Sequence, residues 1–224
     1  MDRVSKFGRG NESNFKKDEI TIYEDERMKL YFVRHGETEW NTQRRFQGRK
    51  NSPLTEKGEQ QAKNIAEVLR NIPFTRLYSS SLGRARKTAQ EIQKGRGIPL
   101  EIMDEFIEIS MGELEGKTKS DFAELYPEEY EKYLQASLDY NPQAFRGETF
   151  EEIQERLRKG MKDLVTKHKE EDVILVVSHG MTLQILFTDL RHGNLERLRE
   201  EKLLENTEVR VVEYRDKKFI IQSV

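Results

Sequence analysis

Two apolar segments of this chain each end in a histidine followed by a glycine. Residues 28–33 lead into Arg34, His35 and Gly36, and residues 173–177 lead into Ser178, His179 and Gly180. A buried strand fixes the position of the residue at its end, and glycine permits a tight turn and a close approach of the backbone to a ligand. The pattern therefore predicts that both histidines lie where parallel strands end, which is where such sheets bind ligands.

Along the rest of the chain, segments with the pattern of strands alternate with segments that have the pattern of helices. We predict further strands at 76–79 and 100–103, helices at 61–69 (with a start signal at 53–58), 81–93, 149–168 and 181–190, a loop at 106–116, a helix at 120–138 that is interrupted at Pro127, and a closing hairpin of 209–214 and 219–224. Strands that alternate with helices favour a three-layer α/β sandwich, in which helices flank a mostly parallel sheet.

The first part of the chain differs from the rest. Residues 1–14 are rich in glycine, serine, asparagine and charge, with no sustained period. We predict that residues 1–27 are a disordered or dispensable leader and that 28–224 form one catalytic domain, a size ordinary for a single domain. A misplaced start codon, an artificial leader and a regulatory tail remain alternatives for this segment.

Composition excludes several classes of site and partner. The chain has no cysteine, so disulfides, thiolate nucleophiles and cysteine-containing zinc sites are excluded. Acids and bases nearly balance at a net charge of -2, which gives no global bias toward nucleic acid or an anionic membrane. With neither a signal peptide nor an apolar run of about 20 residues, we expect a cytoplasmic protein. Either a monomer or a homodimer fits the sequence.

Several motifs share their order and spacing with one known family. They are residues 34–41 (RHGETEWN), Gln47 with Gly48, residues 52–55 (SPLT), residues 79–89 (SSSLGRARKTA), Glu108 with Ile109, residues 112–116 (GELEG), residues 147–149 (GET) and residues 178–180 (SHG). Across nearly everything from Met28 onward, the chain resembles short members of the histidine phosphatase, or phosphoglycerate mutase-like, family. The resemblance implies that the chain has the fold of this family and a phosphoryl-transfer activity.

The chemistry of the candidate catalytic residues fits that resemblance. A neutral imidazole can attack phosphorus and form a phosphohistidine, which divides one displacement into two easier ones. The resemblance implies that Nε2 of His35 attacks and that backbone near Gly36 holds its other ring nitrogen. It also implies a phosphate pocket of Arg34, Arg84 and His179, with His179 as a third cation if it is protonated. Guanidinium groups suit this task because they bind phosphate bidentately.

The proton donor and the rim of the site are assigned by motif position. Glu108 matches the acid position of the family and is expected to protonate the leaving oxygen. Its neighbours Glu105, Glu113 and Glu115 are competing candidates. For the rim we expect substrate contacts from Asn41, Gln47, Gly48 and Gly180, while Arg86 is equally compatible with substrate contact and with a solvated helix face.

Three functions follow from this interpretation. We predict a metal-independent phosphomonoester hydrolase without a cofactor that acts on a small phosphorylated metabolite. The alternative is a phosphoglycerate mutase, which is less favoured because the chain lacks the middle insertion of the longer cofactor-dependent mutases in the family. A non-catalytic binding member is less favoured, because such members usually lose a catalytic histidine or arginine. Substrate specificity is expected to come from residues 117–150, which hold many aromatic side chains.

Overall fold

The computed structural model describes residues 27–222, so the predicted leader falls outside the described residues except for Arg27. The strands are β1 (Met28–Arg34), β2 (Arg76–Ser79), β3 (Leu100–Ile102), β4 (Val173–Ser178), β5 (Val209–Arg215) and β6 (Lys218–Ile221). The α-helices are α1 (Glu39–Thr42), α2 (Glu56–Val68), α3 (Gly83–Gln93), α4 (Lys119–Leu125), α5 (Pro127–Gln135), α6 (Phe150–Lys167) and α7 (Gly180–His192). Short 3-10 turns lie at Asp104–Phe106, Gly112–Leu114, Pro142–Phe145 and Leu198–Glu200.

All six strands form one sheet in the order β3-β2-β4-β1-β5-β6. The four strands β3, β2, β4 and β1 are parallel to one another. At one side of the sheet, β5 is antiparallel to β1, and β6 is antiparallel to β5. The central pair is β1 and β4, with Arg34 opposite Ser178 at the end of the register. The residues that follow these two strands therefore emerge side by side.

The core lies on both faces of this sheet, because successive strand residues point to opposite sides. On one face, Leu30 and Phe32 pack in a cluster with α6, α7 and the aromatic side chains of residues 119–150. On the other face, Val33 packs with the apolar sides of α2 and α3. This arrangement confirms the predicted three-layer sandwich with a mostly parallel sheet.

The segment between β3 and α6, together with the short helix α1, shows how the observed elements compare with the expected ones. The helix expected at 120–138 with an interruption at Pro127 is two helices, α4 and α5, which meet at Tyr126 and Pro127, so the expected break is confirmed. Proline cannot donate the backbone hydrogen bond of a helix interior, so it begins α5 instead. Ala136 then ends α5 in the left-handed region, at φ 51°. The short helix α1, which has a capping box of Thr38 and Asn41, was not predicted.

No helix within residues 27–222 has both the length and the apolar character needed to cross a membrane.

Candidate active site

The two histidines of the strand ends meet at the centre of the sheet. His35 follows β1 and His179 follows β4, and their ring centroids are 5.2 Å apart. The backbone N–H of His35 donates to the carbonyl of Ser178 at 3.0 Å, so the parallel pairing continues into the site. Both side chains are buried. The position of this pair is thus determined by the register of the two strands.

The hydrogen bonds of His35 define which ring nitrogen can react. Nδ1 lies 2.7 Å from the carbonyl oxygen of Gly36, which can only accept, so the proton resides on Nδ1. Nε2 is then unprotonated, and the Nε of Arg84 lies 3.3 Å from it. Burial lowers the pKa of His35 well below its ordinary value, and the charges of Arg84 and Arg34 lower it further. His35 is therefore a neutral imidazole whose lone pair is on Nε2.

Arg84 is a buried cation held by backbone carbonyls. Its Nη1 donates to the carbonyl of Lys50 at 2.9 Å and its Nη2 to that of Gly48 at 2.8 Å. Gly48 has φ 51°, and a Cβ there would lie 2.2 Å from Oε1 of Glu115, so this position requires glycine. Burial lowers the pKa of Arg84 to about 10, which still leaves the guanidinium charged at neutral pH.

Arg34 supplies the second cation and has a free donor. Its Nη1 donates to the carbonyl of Leu204, while its buried Nε has no hydrogen-bond partner among the described residues. Burial lowers the pKa of Arg34 and the charge of Glu108 raises it. Gly180 packs beside this guanidinium, and a Cβ built on it would lie 3.4 Å from Cζ of Arg34. An unsatisfied buried donor of this kind is suited to an anionic ligand.

His179 was expected to be a third cation only if it is protonated, and its surroundings bear on that condition. Its Nε2 lies 2.6 Å from Oγ of Ser80, and its buried Nδ1 has no partner within residues 27–222. Burial, together with the charge of Arg84, lowers the pKa of His179 well below its ordinary value. The charges of the protein therefore favour neutral His179, and its protonation would need the negative charge of a bound phosphoryl group.

Glu108 lies beside these groups and is held through one oxygen. Its Oε1 accepts hydrogen bonds from the backbone N–H of Ile109 at 3.0 Å and of Thr182 at 3.1 Å. The hydroxyl of Thr182 donates to the carbonyl of Ile107 at 2.7 Å, which ties this loop to the start of α7. Oε2 has no such bond among the described residues, and Glu108 lines the cleft. One carboxylate oxygen is thus anchored and the other is available.

The other three glutamates considered from sequence have different surroundings. Glu105 pairs with Lys159 of α6. Glu115 accepts the backbone N–H groups of Arg49, Lys50 and Met111, and so holds the loop that carries Gly48. Glu113 is exposed and lies 3.8 Å from Arg146. None of the three lines the cleft.

A cleft of about 150 Å³ brings most of the predicted site residues together. From the predicted set it is lined by Arg34, His35, Asn41, Gln47, Gly48, Arg84, Glu108 and Gly180. His179 lies behind His35 and is fully buried. Arg86 is on an exposed part of α3 and is not brought to the cleft.

Other lining residues were not assigned individually as site residues, although Ile109 belongs to a motif quoted above and Tyr133 to the aromatic segment that was expected to determine specificity. They are Arg45, Phe46, Ile109, Met111, Tyr133, Met181 and Leu203. Proximity to a motif could have found some of them, since Arg45 and Phe46 precede Gln47, and Met181 follows Gly180. Leu203 has no such signal: it belongs to the loop after α7, whose carbonyl at Leu204 binds Arg34.

The described residues include no group of three or more histidine, aspartate and glutamate side chains that could hold a metal ion. The positive charge in the cleft instead comes from arginine. A neutral, correctly oriented imidazole beside two buried guanidinium groups and a carboxylate is an arrangement suited to phosphoryl transfer, which depends on positioning and on stabilising the charge of equatorial oxygens. Fold and site together define the class of histidine-dependent phosphoryl-transfer enzymes.

The chain belongs to the histidine phosphatase superfamily (branch 1), whose family model matches residues 30–224. It is 36% identical over 215 residues to the metal-independent phosphoserine phosphatase of Arabidopsis thaliana, covering 95% of this chain and 87% of that one. It is 37% identical over 163 residues to a probable phosphoglycerate mutase, GpmB, of Erwinia tasmaniensis, covering 73% and 74%.

Solved structures give the same result. YhfR of Bacillus stearothermophilus superposes with a TM-score of 0.82 at 35% identity, covering 87% of this chain and 95% of that one. A phosphoserine phosphatase mutant of Entamoeba histolytica in complex with phosphoserine superposes with a TM-score of 0.74 at 29% identity, covering 88% and 95%. The relatives thus include both phosphatases and mutase-like proteins.

Proposed function

We propose that this enzyme hydrolyses phosphomonoesters of small metabolites, without a metal, through a phosphohistidine on His35. The observation that carries the proposal is the tautomer of His35. Its Nδ1 proton is committed to the carbonyl of Gly36, which leaves an unprotonated Nε2 next to Arg84. An unprotonated Nε2 that accepts a hydrogen bond from Nε of Arg84 lies beside the cationic phosphate pocket, and its lone pair needs no general base to free it.

The first step transfers the phosphoryl group to the enzyme. Nε2 of His35 forms a bond to phosphorus while the bond from phosphorus to the ester oxygen breaks. Arg34 and Arg84 balance the charge on the equatorial oxygens. Glu108 donates a proton to the leaving oxygen, so the product leaves as an alcohol.

The second step returns the enzyme to its starting state. Glu108, now a carboxylate, takes a proton from water as the water oxygen attacks phosphorus. The bond between phosphorus and Nε2 breaks, which releases inorganic phosphate and regenerates neutral His35. The same carboxyl group thus serves as acid in one step and as base in the next.

For the substrate we favour a small phosphorylated metabolite, with phosphoserine as the first compound to assay. Two relatives described by name as phosphoserine phosphatases support this choice. The second candidate function is phosphoglycerate mutase, in which an acceptor hydroxyl takes the phosphoryl group in place of water. The similarity to probable phosphoglycerate mutases supports that alternative.

The test measures release of inorganic phosphate from phosphoserine and p-nitrophenyl phosphate in the presence of EDTA. We expect turnover by the wild type and its loss in His35→Ala. His192→Ala is the matched control, because His192 also precedes a glycine but is exposed at the end of α7. Full activity of His35→Ala, or inhibition by EDTA, would contradict the proposal. Interconversion of 3- and 2-phosphoglycerate faster than phosphate release would favour the mutase.

A further inference from the structure

We infer that the hydroxyl of Tyr133 determines specificity by donating a hydrogen bond to an acceptor oxygen, such as a carboxylate, on the leaving group of the substrate. This inference rests on the proposed phosphatase function and extends it to the part of the substrate that leaves. It assigns a role to one side chain of the helical segment that covers the strand ends.

Tyr133 reaches the cleft from the last turn of α5, far from the strand-end motifs in sequence. It lines the cleft together with Glu108, the residue that we propose protonates the leaving oxygen. The charge of Glu108 also acts on the pKa of Tyr133, which agrees with their proximity. The leaving group must occupy the space near Glu108, so Tyr133 is placed to contact it.

The ring of Tyr133 is held by other aromatic rings. Its centroid lies 5.7 Å from that of Phe46, 5.8 Å from that of Phe122 and 5.6 Å from that of Tyr140. Such edge-to-face and tilted contacts favour one orientation of the ring. The hydroxyl is consequently presented in a fixed position, which lowers the entropic cost of binding a ligand.

The hydroxyl of Tyr133 is free to bind a ligand. It makes no hydrogen bond within residues 27–222, and its residue lines the cleft. The hydroxyl of Tyr140 also lacks a partner there, but it is buried away from solvent. Burial raises the pKa of Tyr133 above its ordinary value, so the hydroxyl keeps its proton at neutral pH. Tyr133 is therefore a neutral donor with no hydrogen-bond partner among the described residues.

The surroundings of Tyr133 indicate what it selects. Phe46, Met111 and Leu203 form apolar parts of the same cleft, whereas Asn41, Arg45 and Gln47 add polar side chains elsewhere in its lining. A site that offers a hydrogen-bond donor discriminates against analogues that lack the acceptor. Phosphorylated hydroxy acids or amino acids would satisfy the hydroxyl, whereas simple alkyl and aminoalkyl phosphates would leave it unpaired.

The experiment compares O-phosphoserine with O-phosphoethanolamine, which differ only by the carboxylate. We expect the wild type to prefer phosphoserine, and Tyr133→Phe to lower kcat/KM for phosphoserine by roughly 10- to 100-fold, the loss of one hydrogen bond to a charged group. For phosphoethanolamine the same substitution should change kcat/KM by less than about threefold. Tyr130→Phe is the matched control, since Tyr130 packs on Phe122 in the same cluster without lining the cleft.

The inference is overturned if the wild type shows no preference for phosphoserine, or if Tyr133→Phe lowers kcat/KM equally for both substrates. An equal loss of kcat/KM for both substrates would mean that the hydroxyl contacts the phosphoryl group or stabilises the fold. A phosphatase that still depends on His35 but shows either result would retain the proposed function and lose only this inference. Loss of all dependence on His35 would remove the proposed function itself.

Discussion

The strand ends and the helical segment of residues 117–150 form opposite sides of the same cleft and are built in different ways. His35 and His179 are fixed by the register of two central parallel strands. The helical segment consists of the short helices α4 and α5, which meet at Tyr126, and a 3-10 turn; Ala136 ends α5 and Arg146 ends the turn, both in the left-handed region. Its stability comes from contacts between aromatic rings.

This difference separates the chemistry from the selection of the substrate. Groups on a buried sheet keep their distances whatever the substrate, which suits a nucleophile and its phosphate pocket. Side chains on the short helices can be replaced by other residues without disturbing the sheet, which suits recognition of the leaving group. We therefore expect substitutions at the strand ends to affect all substrates, and those in the helical segment to affect them unequally.

The largest substrate-dependent effect is expected from Glu108, which lies between the two regions. Glu108→Gln should slow the hydrolysis of alkyl phosphates by roughly 10²- to 10⁴-fold, because an alkoxide leaves poorly without a proton. With p-nitrophenyl phosphate, whose leaving group needs no proton, the rate of enzyme phosphorylation should fall much less. Burst kinetics on both substrates separate that step from hydrolysis of the phosphoenzyme. Glu113→Gln, an exposed neighbour, should change neither rate.

Arg84 tests the strand-end side of the comparison. Arg84→Ala should lower kcat/KM by roughly 10²- to 10³-fold for every phosphomonoester, since it removes a preorganised donor to the phosphoryl group. Arg86→Ala, two residues along α3 and exposed, should leave kcat/KM within about twofold. A large effect of Arg86→Ala would show that this residue does reach the substrate.

The buried histidines make stability depend on pH. Burial lowers the pKa of both His35 and His179, so the folded protein keeps them neutral below pH 6.5 while the unfolded chain takes up protons at about pH 6.5. The free energy of unfolding should therefore fall as pH decreases from 7.5 to 5.5, by up to about 1.4 kcal/mol per histidine per pH unit. Urea denaturation measures this.

The matched variant for that measurement is His35→Asn, which should show a smaller decrease over the same range. A free energy of unfolding that is constant or that rises toward pH 5.5 would contradict the buried, neutral state of this pair. An unchanged slope in His35→Asn would assign the dependence to other groups.

The smallest effect is expected in the aromatic cluster. The hydroxyl of Tyr140 is buried without a partner among the described residues, and its ring stacks on Phe150 at 4.9 Å. Tyr140→Phe removes the unsatisfied group and keeps the ring, so it should raise the free energy of unfolding by about 1 kcal/mol. Thermal denaturation measures the change, with Tyr130→Phe as the comparison. A clear loss of stability in Tyr140→Phe would show that the hydroxyl is bonded.

The parts of the fold that the sequence predicted are those where local and global signals agree. The apolar run of β4 and the amphipathic period of α6 persist in the structure with shifts of a few residues. The loop expected at 106–116 contains the 3-10 turn Gly112–Leu114 and begins at the last residue of the turn Asp104–Phe106, and such short turns have no distinct periodicity. The break at Pro127 within the helix expected at 120–138 was predictable, because proline cannot donate the backbone hydrogen bond of a helix interior.

The candidate site was predictable only where a motif marks it. His35, Arg34, Arg84 and Glu108 carry recognisable neighbours, and the structure brings them together. Leu203 and Tyr133 reach the cleft through long-range packing that no local pattern encodes. The protonation state of His179 depends on burial and on surrounding charge, which a sequence does not specify.

The central claim is the phosphohistidine on His35, and trapping it is the most direct test. The enzyme is mixed with phosphoserine or p-nitrophenyl phosphate, quenched rapidly at alkaline pH and measured by intact-protein mass spectrometry, followed by peptide mapping. We predict one acid-labile phosphoryl group on His35, its absence from His35→Ala, and its accumulation in Glu108→Gln with p-nitrophenyl phosphate. Turnover without any phosphoenzyme, or a phosphoryl group on another residue, would contradict the account.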